Sequence, residues 1–160
     1  AMDSAAGGGH LAVVKWLHAN RSEGCTSAAM DGAAGRGNLV VLRWLRANCP
    51  QECTPNAMNR AAGGGHLSVV EWLYANRSVS RPDASSITTK ALDYAAGEGH
   101  IAVMKWLCAN TIARIETKSI RGMVLAAANG HLAAVEWLHF NKLEGRGLDK
   151  RAMDLAALGG

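Results

Sequence analysis

The apolar positions of this chain alternate between two kinds of stretch. The first is short and built on a pair of alanines, as at Ala5 and Ala6. The second carries larger apolar residues, as at Leu11, Val13, Val14, Trp16 and Leu17. At about 100° per residue, these five cover more than half the circumference of a helix and leave only the side of Ala12 and Lys15 facing out. The same outward slot holds Arg43, Glu71, Lys105 and Glu136 further along. A helix apolar over so much of its surface must touch several neighbours. It is expected to pack on its own short helix and on the units before and after it, which is the logic of a solenoid.

The repetition is explicit. Trp16, Trp44, Trp72, Trp106 and Trp137 are each followed by Leu, at steps of 28, 28, 34 and 31 residues. An alanine pair ends ten residues before each Trp, and a further pair, Ala156 and Ala157, follows the last copy. Seven residues before the pairs stand Thr26, Thr54, Thr88, Ser119 and Asp149. Their side-chain oxygens can accept from the open N–H groups of a first helical turn. Pro55 follows Thr54, at the first helical position that proline favours. Asp31, Asp93 and Asp154 place negative charge in early turns, where the helix dipole favours it. The short helices should stop at Gly9, Gly37, Gly65, Gly99 and Gly130, in the left-handed conformation open to glycine. The longer helices should end at Asn20, Asn48, Asn76, Asn110 and Asn141, with Asn in the same conformation. Asn20 and Asn76 also begin Asn-x-Ser triplets, which this role explains as helix ends rather than glycosylation acceptors.

The phrase Ala-Ala-Gly-x-Gly-His-Leu-x-Val-Val-Lys-Trp-Leu at 5–17 resembles the centre of an ankyrin repeat. The copies at 61–73, 95–107 and 126–138 match nearly as well, and the copy at 33–45 has Asn38 for His. The resemblance implies an all-α solenoid of stacked helix-turn-helix units. Some features depart from the family. Its Thr-Pro-Leu-His opening is absent, with Met2, Met30, Met58, Leu92, Met123 and Met153 in the Leu position. Two steps of 28 residues fall short of the family period of about 33. The shortfall lies where the family carries a β-hairpin finger, so short loops such as Arg21–Cys25 are expected instead. The units then run over about 1–25, 26–53, 54–87, 88–118 and 119–148, with a partial unit at 149–160. The array is expected to continue in both directions. A tetratricopeptide reading fits worse, because its Trp–Leu-Gly–Tyr spacing is absent.

Charge adds little direction. The 17 Lys/Arg and 13 Asp/Glu are interspersed, as on a solvated surface. No run is long and apolar enough for a membrane span, and no secretory signal opens the chain. The spacing of Cys25, Cys49, Cys53 and Cys108 suggests no disulfide framework. Reduced thiols and an intracellular, cytoplasmic or nuclear location follow as expectations.

Candidate chemistry is sparse. His10, His66, His100 and His131 recur one per unit at the start of the longer helix. Metal ligands must lie within about 2 Å of one ion, whereas packed helices stand roughly 8–10 Å apart, so these histidines cannot converge. They resemble the turn-stabilising His of the family. His18 and His139 are isolated and expected to be exposed. Cys49 and Cys53 share a loop, but no second pair completes a four-ligand site; Cys25 and Cys53 are equivalent by repeat, which favours packing. Each Trp lies beside its apolar arc and is expected in the core rather than stacking on bases. No Ser–His–Asp set, paired carboxylates or phosphate loop stands out. The expectation is no catalysis, no metal, no cofactor and no small-molecule substrate.

A protein partner is the expectation, held along the surface of first helices and loops. The resemblance implies the residue just before each alanine pair: Ser4, Gly32, Arg60, Tyr94, Leu125 and Leu155. A second variable row precedes the terminating glycine: Gly8, Arg36, Gly64, Glu98 and Asn129. Among these, Ser4, Arg36, Arg60, Tyr94, Glu98, Leu125 and Asn129 are the candidate contact residues, with Arg60, Tyr94 and Glu98 foremost. The serine-bearing loop at Ser78–Ile87 is a further candidate contact or phosphorylation segment, although surface insertions are commonly just tolerated. The main alternative is RNA or DNA binding through Arg114, Lys118, Arg121, Lys142, Arg146, Lys150 and Arg151. Another is a regulatory repeat region within a larger enzyme.

Overall fold

The computed structural model describes residues 1–21, 24–76, 84–111 and 120–141, with backbone alone at 84–88, 111 and 120. These residues form ten helices and no strand. The first helices of the units are α1 (Met2–Gly7), α3 (Ser27–Gly35), α5 (Pro55–Gly63), α7 (Ala84–Gly97) and α9 (Ile120–Ala128). The second helices are α2 (Leu11–Asn20), α4 (Leu39–Asn48), α6 (Leu67–Ala75), α8 (Ile101–Thr111) and α10 (Leu132–Phe140). Each first helix packs on the next first helix more extensively than on the second helix of its own unit. The result is two layers of helices stacked along one axis. The link from α4 to α5 is short, extended chain with no hairpin.

The alanine pairs make the close stacking feasible. Ala6, Ala33, Ala34, Ala61, Ala62, Ala95, Ala96 and Ala126 are completely buried. The second layer contributes Val41, Leu42 and Leu45, then Val69, Val70 and Leu73, then Val103, Met104 and Leu107. Burying each such side chain stabilises by about 1.5–3 kcal/mol. The first unit differs. Val13 is 48% exposed and Trp16 is 61% exposed, whereas Val41, Val69 and Val103 at the position of Val13 are buried. In later units the Trp meets a ring from the preceding unit's second helix, Trp44 against His18 and Trp106 against Tyr74. Trp44, Trp72, Trp106 and Trp137 do pack against the core, half-buried. The expectation of five core tryptophans is therefore corrected at Trp16.

Polar bonds fix how one unit sits on the next. Thr26 caps α3 by accepting from the Ala28 N–H at 3.1 Å, and its hydroxyl donates to Asp3 Oδ1 at 2.9 Å. Thr54 caps α5 through the Asn56 N–H at 3.1 Å. The Thr54 hydroxyl donates to Asp31 Oδ2 at 2.5 Å, and the Thr54 N–H donates to Asp31 Oδ1 at 3.1 Å. Asp31 is buried, and these bonds compensate the desolvation of its carboxylate. The equivalent residue of the third unit is Asn59, buried with its Oδ1 unpaired. The fourth unit explains why. Helix α7 begins at Ala84, so Thr88 lies inside the helix and does not cap it. This corrects the expected cap; the step of 34 residues in place of 28 supplies chain for an earlier start. A neutral amide at Asn59 costs less to leave unpaired than a carboxylate would. Ser119 and Asp149, the other expected caps, lie outside the described residues.

The turns within units behave as glycine predicts, but the second helices end differently. Gly9, Gly37, Gly65, Gly99 and Gly130 have φ between 72° and 78°. At Gly37, a Cβ would also stand 2.6 Å from Nδ1 of His66, which belongs to the next unit. His66, His100 and His131 thus pack on the preceding unit's turn, at Gly37, Gly65 and Gly99. Asn38, in the His position, reaches back to donate to the Gly7 carbonyl at 2.7 Å. The expectation of left-handed Asn is corrected. Asn76 and Asn141 have φ of −102° and −87°, and Asn20 and Asn48 are the last helical residues of α2 and α4. The side chain does the capping instead. Nδ2 of Asn20, Asn48, Asn76, Asn110 and Asn141 donates to the carbonyl of the Trp four residues earlier, at 2.6–2.9 Å. This satisfies an acceptor that a helix end leaves open.

The thiols also depart from expectation. Cys25 and Cys49 form a disulfide with a Cα–Cα distance of 6.1 Å. Stacking brings the link after α2 beside the end of α4, a proximity that spacing of 24 residues does not reveal. Cys53 and Cys108 are thiols outside any disulfide. Burial, reinforced at Cys53 by the Asp31 charge, pushes both thiols up to about 11.

Two outcomes follow from this packing. Gly37→Ala should destabilise the chain by about 1–2 kcal/mol or more from the left-handed backbone alone, with the His66 contact adding to it. A lowered urea midpoint would show this, and an unchanged midpoint would contradict the packing. Cys53 and Cys108 should resist alkylation near pH 8, where a pKa of about 11 leaves roughly one thiol in a thousand ionised. Iodoacetamide labelling followed by mass spectrometry should show both sites reacting slowly and accelerating above pH 10 or so.

Candidate partner-binding surface

The first-helix layer presents a row that runs from unit to unit. The residue just before each alanine pair rests on the glycine just after the preceding pair. A Cβ on Gly35 would meet Arg60 Cβ at 3.0 Å, one on Gly63 would meet Tyr94 Cβ at 3.4 Å, and one on Gly97 would meet Leu125 Cβ at 3.0 Å. The glycines therefore let the row residues seat closely. In the second unit the row residue is itself a glycine, Gly32, whose Cβ would lie 3.6 Å from Gly7 Cα. The missing side chain leaves a dent. An open depression of about 660 Å³ lies there, lined by Asp3, Ser4, Gly7, Ala28, Gly32, Gly35, Arg36 and Arg60.

Three candidate contact residues, Ser4, Arg36 and Arg60, thus meet in one depression, all exposed. Two guanidinium groups border it, and neither is ion-paired among the described residues. Asp3, on the same depression, already accepts from Thr26. Tyr94 continues the row, 49% exposed. Leu125 follows, half-buried, and Glu98 is exposed just past the end of α7. Asn129 has a structural task, since its Nδ2 donates to the Gly97 carbonyl of the preceding unit at 2.7 Å. Leu155 lies outside the described residues. So do Arg114, Lys118, Lys142, Arg146, Lys150 and Arg151, which leaves Arg121, exposed on α9, as the described member of that basic set. Of the Ser78–Ile87 segment, only the backbone from Ala84 onward is described.

Asp3, Ala28 and Gly32 are lining residues absent from the candidate contact set. Gly32 was visible as a gap in a row of otherwise larger side chains. A second cluster carried no sequence signal. His18, Cys25 and Cys49 bring their ligand atoms within 4.8 Å of one another. His18 is exposed, as expected, but not isolated: its ring meets the edge of Trp44 at 5.2 Å and 86°. The aromatic contact recurs one unit pair later, where Tyr74 meets Trp106 at 5.2 Å and 87° and donates to the Asn110 carbonyl at 2.7 Å. No helix among the described residues is long and apolar enough to cross a membrane.

Comparison with known proteins agrees with this geometry. The profile of ankyrin repeats, in three copies, matches residues 1–119. No curated protein matches the chain. Among solved structures, the chain is similar to the crystal structure of the human ASB11 ankyrin repeat domain, with a TM-score of 0.63 and 16% sequence identity. The match covers 99% of this chain and 83% of that one. At that identity the likeness speaks for the fold, and the profile match speaks for the sequence. With its buried alanine pairs, left-handed turn glycines and back-reaching His and Asn side chains, the chain belongs to the ankyrin-repeat family.

Proposed function

We propose that this chain is a protein-interaction module that holds an acidic segment of a partner protein along its first-helix row. Ankyrin repeats are generally protein-interaction modules. The observation that supports the finer reading is the depression at Gly32, bordered by the guanidinium groups of Arg36 and Arg60, neither ion-paired among the described residues. A carboxylate entering it gains charge-assisted and bidentate hydrogen bonds from arginine. Tyr94 then offers an amphipathic surface two units further along, of the kind that concentrates binding energy. The reading needs no catalysis: binding rests on shape and charge across a rigid row. The units proposed to carry it are those bounded at about 1–25, 26–53, 54–87 and 88–118.

A random-peptide display selection against the chain tests this directly. The wild type should enrich peptides rich in Asp and Glu. The double variant Arg36→Glu/Arg60→Glu should not, and it should bind the enriched peptides about 10- to 100-fold more weakly, a loss of roughly 1.4–2.8 kcal/mol. Enrichment without acidic residues, or equal binding by the double variant, would overturn the reading. Tyr94→Ala should weaken the same peptides by roughly tenfold if they reach along the row, as read by calorimetry. Retention of RNA or DNA that falls steeply as salt rises would favour nucleic-acid binding instead.

A further inference from the structure

We propose that His18, Cys25 and Cys49 form, once the disulfide is reduced, a three-ligand site for zinc(II) that joins the first two units. The three side chains come from separate elements. His18 lies in the last turn of α2, Cys25 in the link to α3, and Cys49 at the end of α4. Their ligand atoms already lie within 4.8 Å of one another. Zinc bonds of about 2.3 Å to sulfur and 2.0–2.1 Å to nitrogen require ligand atoms roughly 3.5–3.8 Å apart around a tetrahedral ion. To meet that spacing the sulfurs separate from their mutual bond and the exposed His18 ring closes on them by roughly 1 Å or less. Two thiolates and one imidazole suit a borderline-soft ion, whereas calcium and magnesium demand oxygen ligands. The His18 and Trp44 rings stand perpendicular with centroids 5.2 Å apart, which places an aromatic side chain of the second unit beside the ligand from the first. Water completes the fourth position.

Disulfide and metal exclude each other, because the same two sulfurs serve both. In reduction, two external thiols give up two electrons and two protons to the Cys25–Cys49 bond and become a disulfide themselves. Zinc binding then releases the two protons of the cysteine thiols. In the reverse direction, an external disulfide such as oxidised glutathione takes up two electrons as the Cys25–Cys49 bond re-forms. It leaves as two thiolates, and the zinc ion is set free. Cys53 and Cys108 stand outside the cluster and serve as internal controls.

Cobalt(II) is the probe for this site. The full chain, reduced with a phosphine and stripped of metal, is titrated with cobalt(II) and followed by absorption. The expected result is a thiolate-to-cobalt charge-transfer band with the intense visible bands of tetrahedral cobalt, saturating at one equivalent and bleached by zinc. Cys25→Ser and Cys49→Ser should each abolish the bands, and His18→Ala should weaken binding by roughly tenfold or more. Cys53→Ser and Cys108→Ser should leave the spectrum unchanged, and circular dichroism should show all five variants folded. Because a serine at a buried position can perturb folding, the unmutated chain gives a second reading. Oxidised glutathione should lower its free thiols from four to two and abolish cobalt binding together. Weak octahedral bands alone, the same spectrum in Cys25→Ser and Cys49→Ser, or cobalt binding unaffected by oxidation would each overturn the proposal.

Discussion

The contact between consecutive first helices is the constraint on which the rest of this structure depends. Each first helix is too short and too alanine-rich to bury a core alone. It becomes stable by lying between its neighbours, where alanine lets the backbones approach. The approach must be in register, and apolar contact sets register poorly. Thr54 and Asp31 supply it: the cap of one helix donates to the buried carboxylate of the helix before it. Thr26 and Asp3 repeat the arrangement. Where the third unit has Asn59 instead, and the fourth unit's helix starts early, that bond is missing and the amide oxygen is unpaired.

The same register creates the surface proposed to hold a partner. Since each row residue sits on the preceding unit's glycine, its side chain is placed by the stack rather than by its own helix alone. Arg60 on Gly35 and Tyr94 on Gly63 therefore form a fixed sequence of functional groups along the array. Replacing a row residue by glycine, as at Gly32, opens a depression without disturbing the stack. Specificity can thus change one unit at a time while the alanine pairs, turn glycines and caps stay constant.

Most of the fold was legible because the determinants repeat. The Trp-Leu steps, the alanine pairs and the turn glycines each recur in register, and the structure places them as local rules require. Besides the early start of α7, which displaces the expected cap at Thr88, three things were not legible, for separate reasons. The second helices end on an Asn side chain bonded back to a Trp carbonyl, and composition alone cannot separate this from a left-handed Asn. The surroundings of a Trp depend on a neighbouring unit as well as on its own helix, as Trp44 against His18 and Trp106 against Tyr74 show, so the exposure of Trp16 could not be read from its helix alone. The Cys25–Cys49 pair depends on where two loops of different units meet, which a one-dimensional spacing does not encode. For the candidate surface, the positions of Ser4, Arg36 and Arg60 on one exposed row were legible, because these residues vary between constant flanks. Asn129 varies in the same way, yet its amide is used to tie two units together.

A double-mutant cycle on Asp31 and Thr54 tests the central claim most directly. Urea unfolding would be measured for the wild type, Asp31→Ala, Thr54→Ala and the pair. If the bond between units sets the register, the two residues should be coupled by about 1–2 kcal/mol, within the range seen for contacting buried groups. Losses that add to within about 0.5 kcal/mol would contradict the account. They would mean that the two residues act separately and that apolar stacking alone holds one unit on the next.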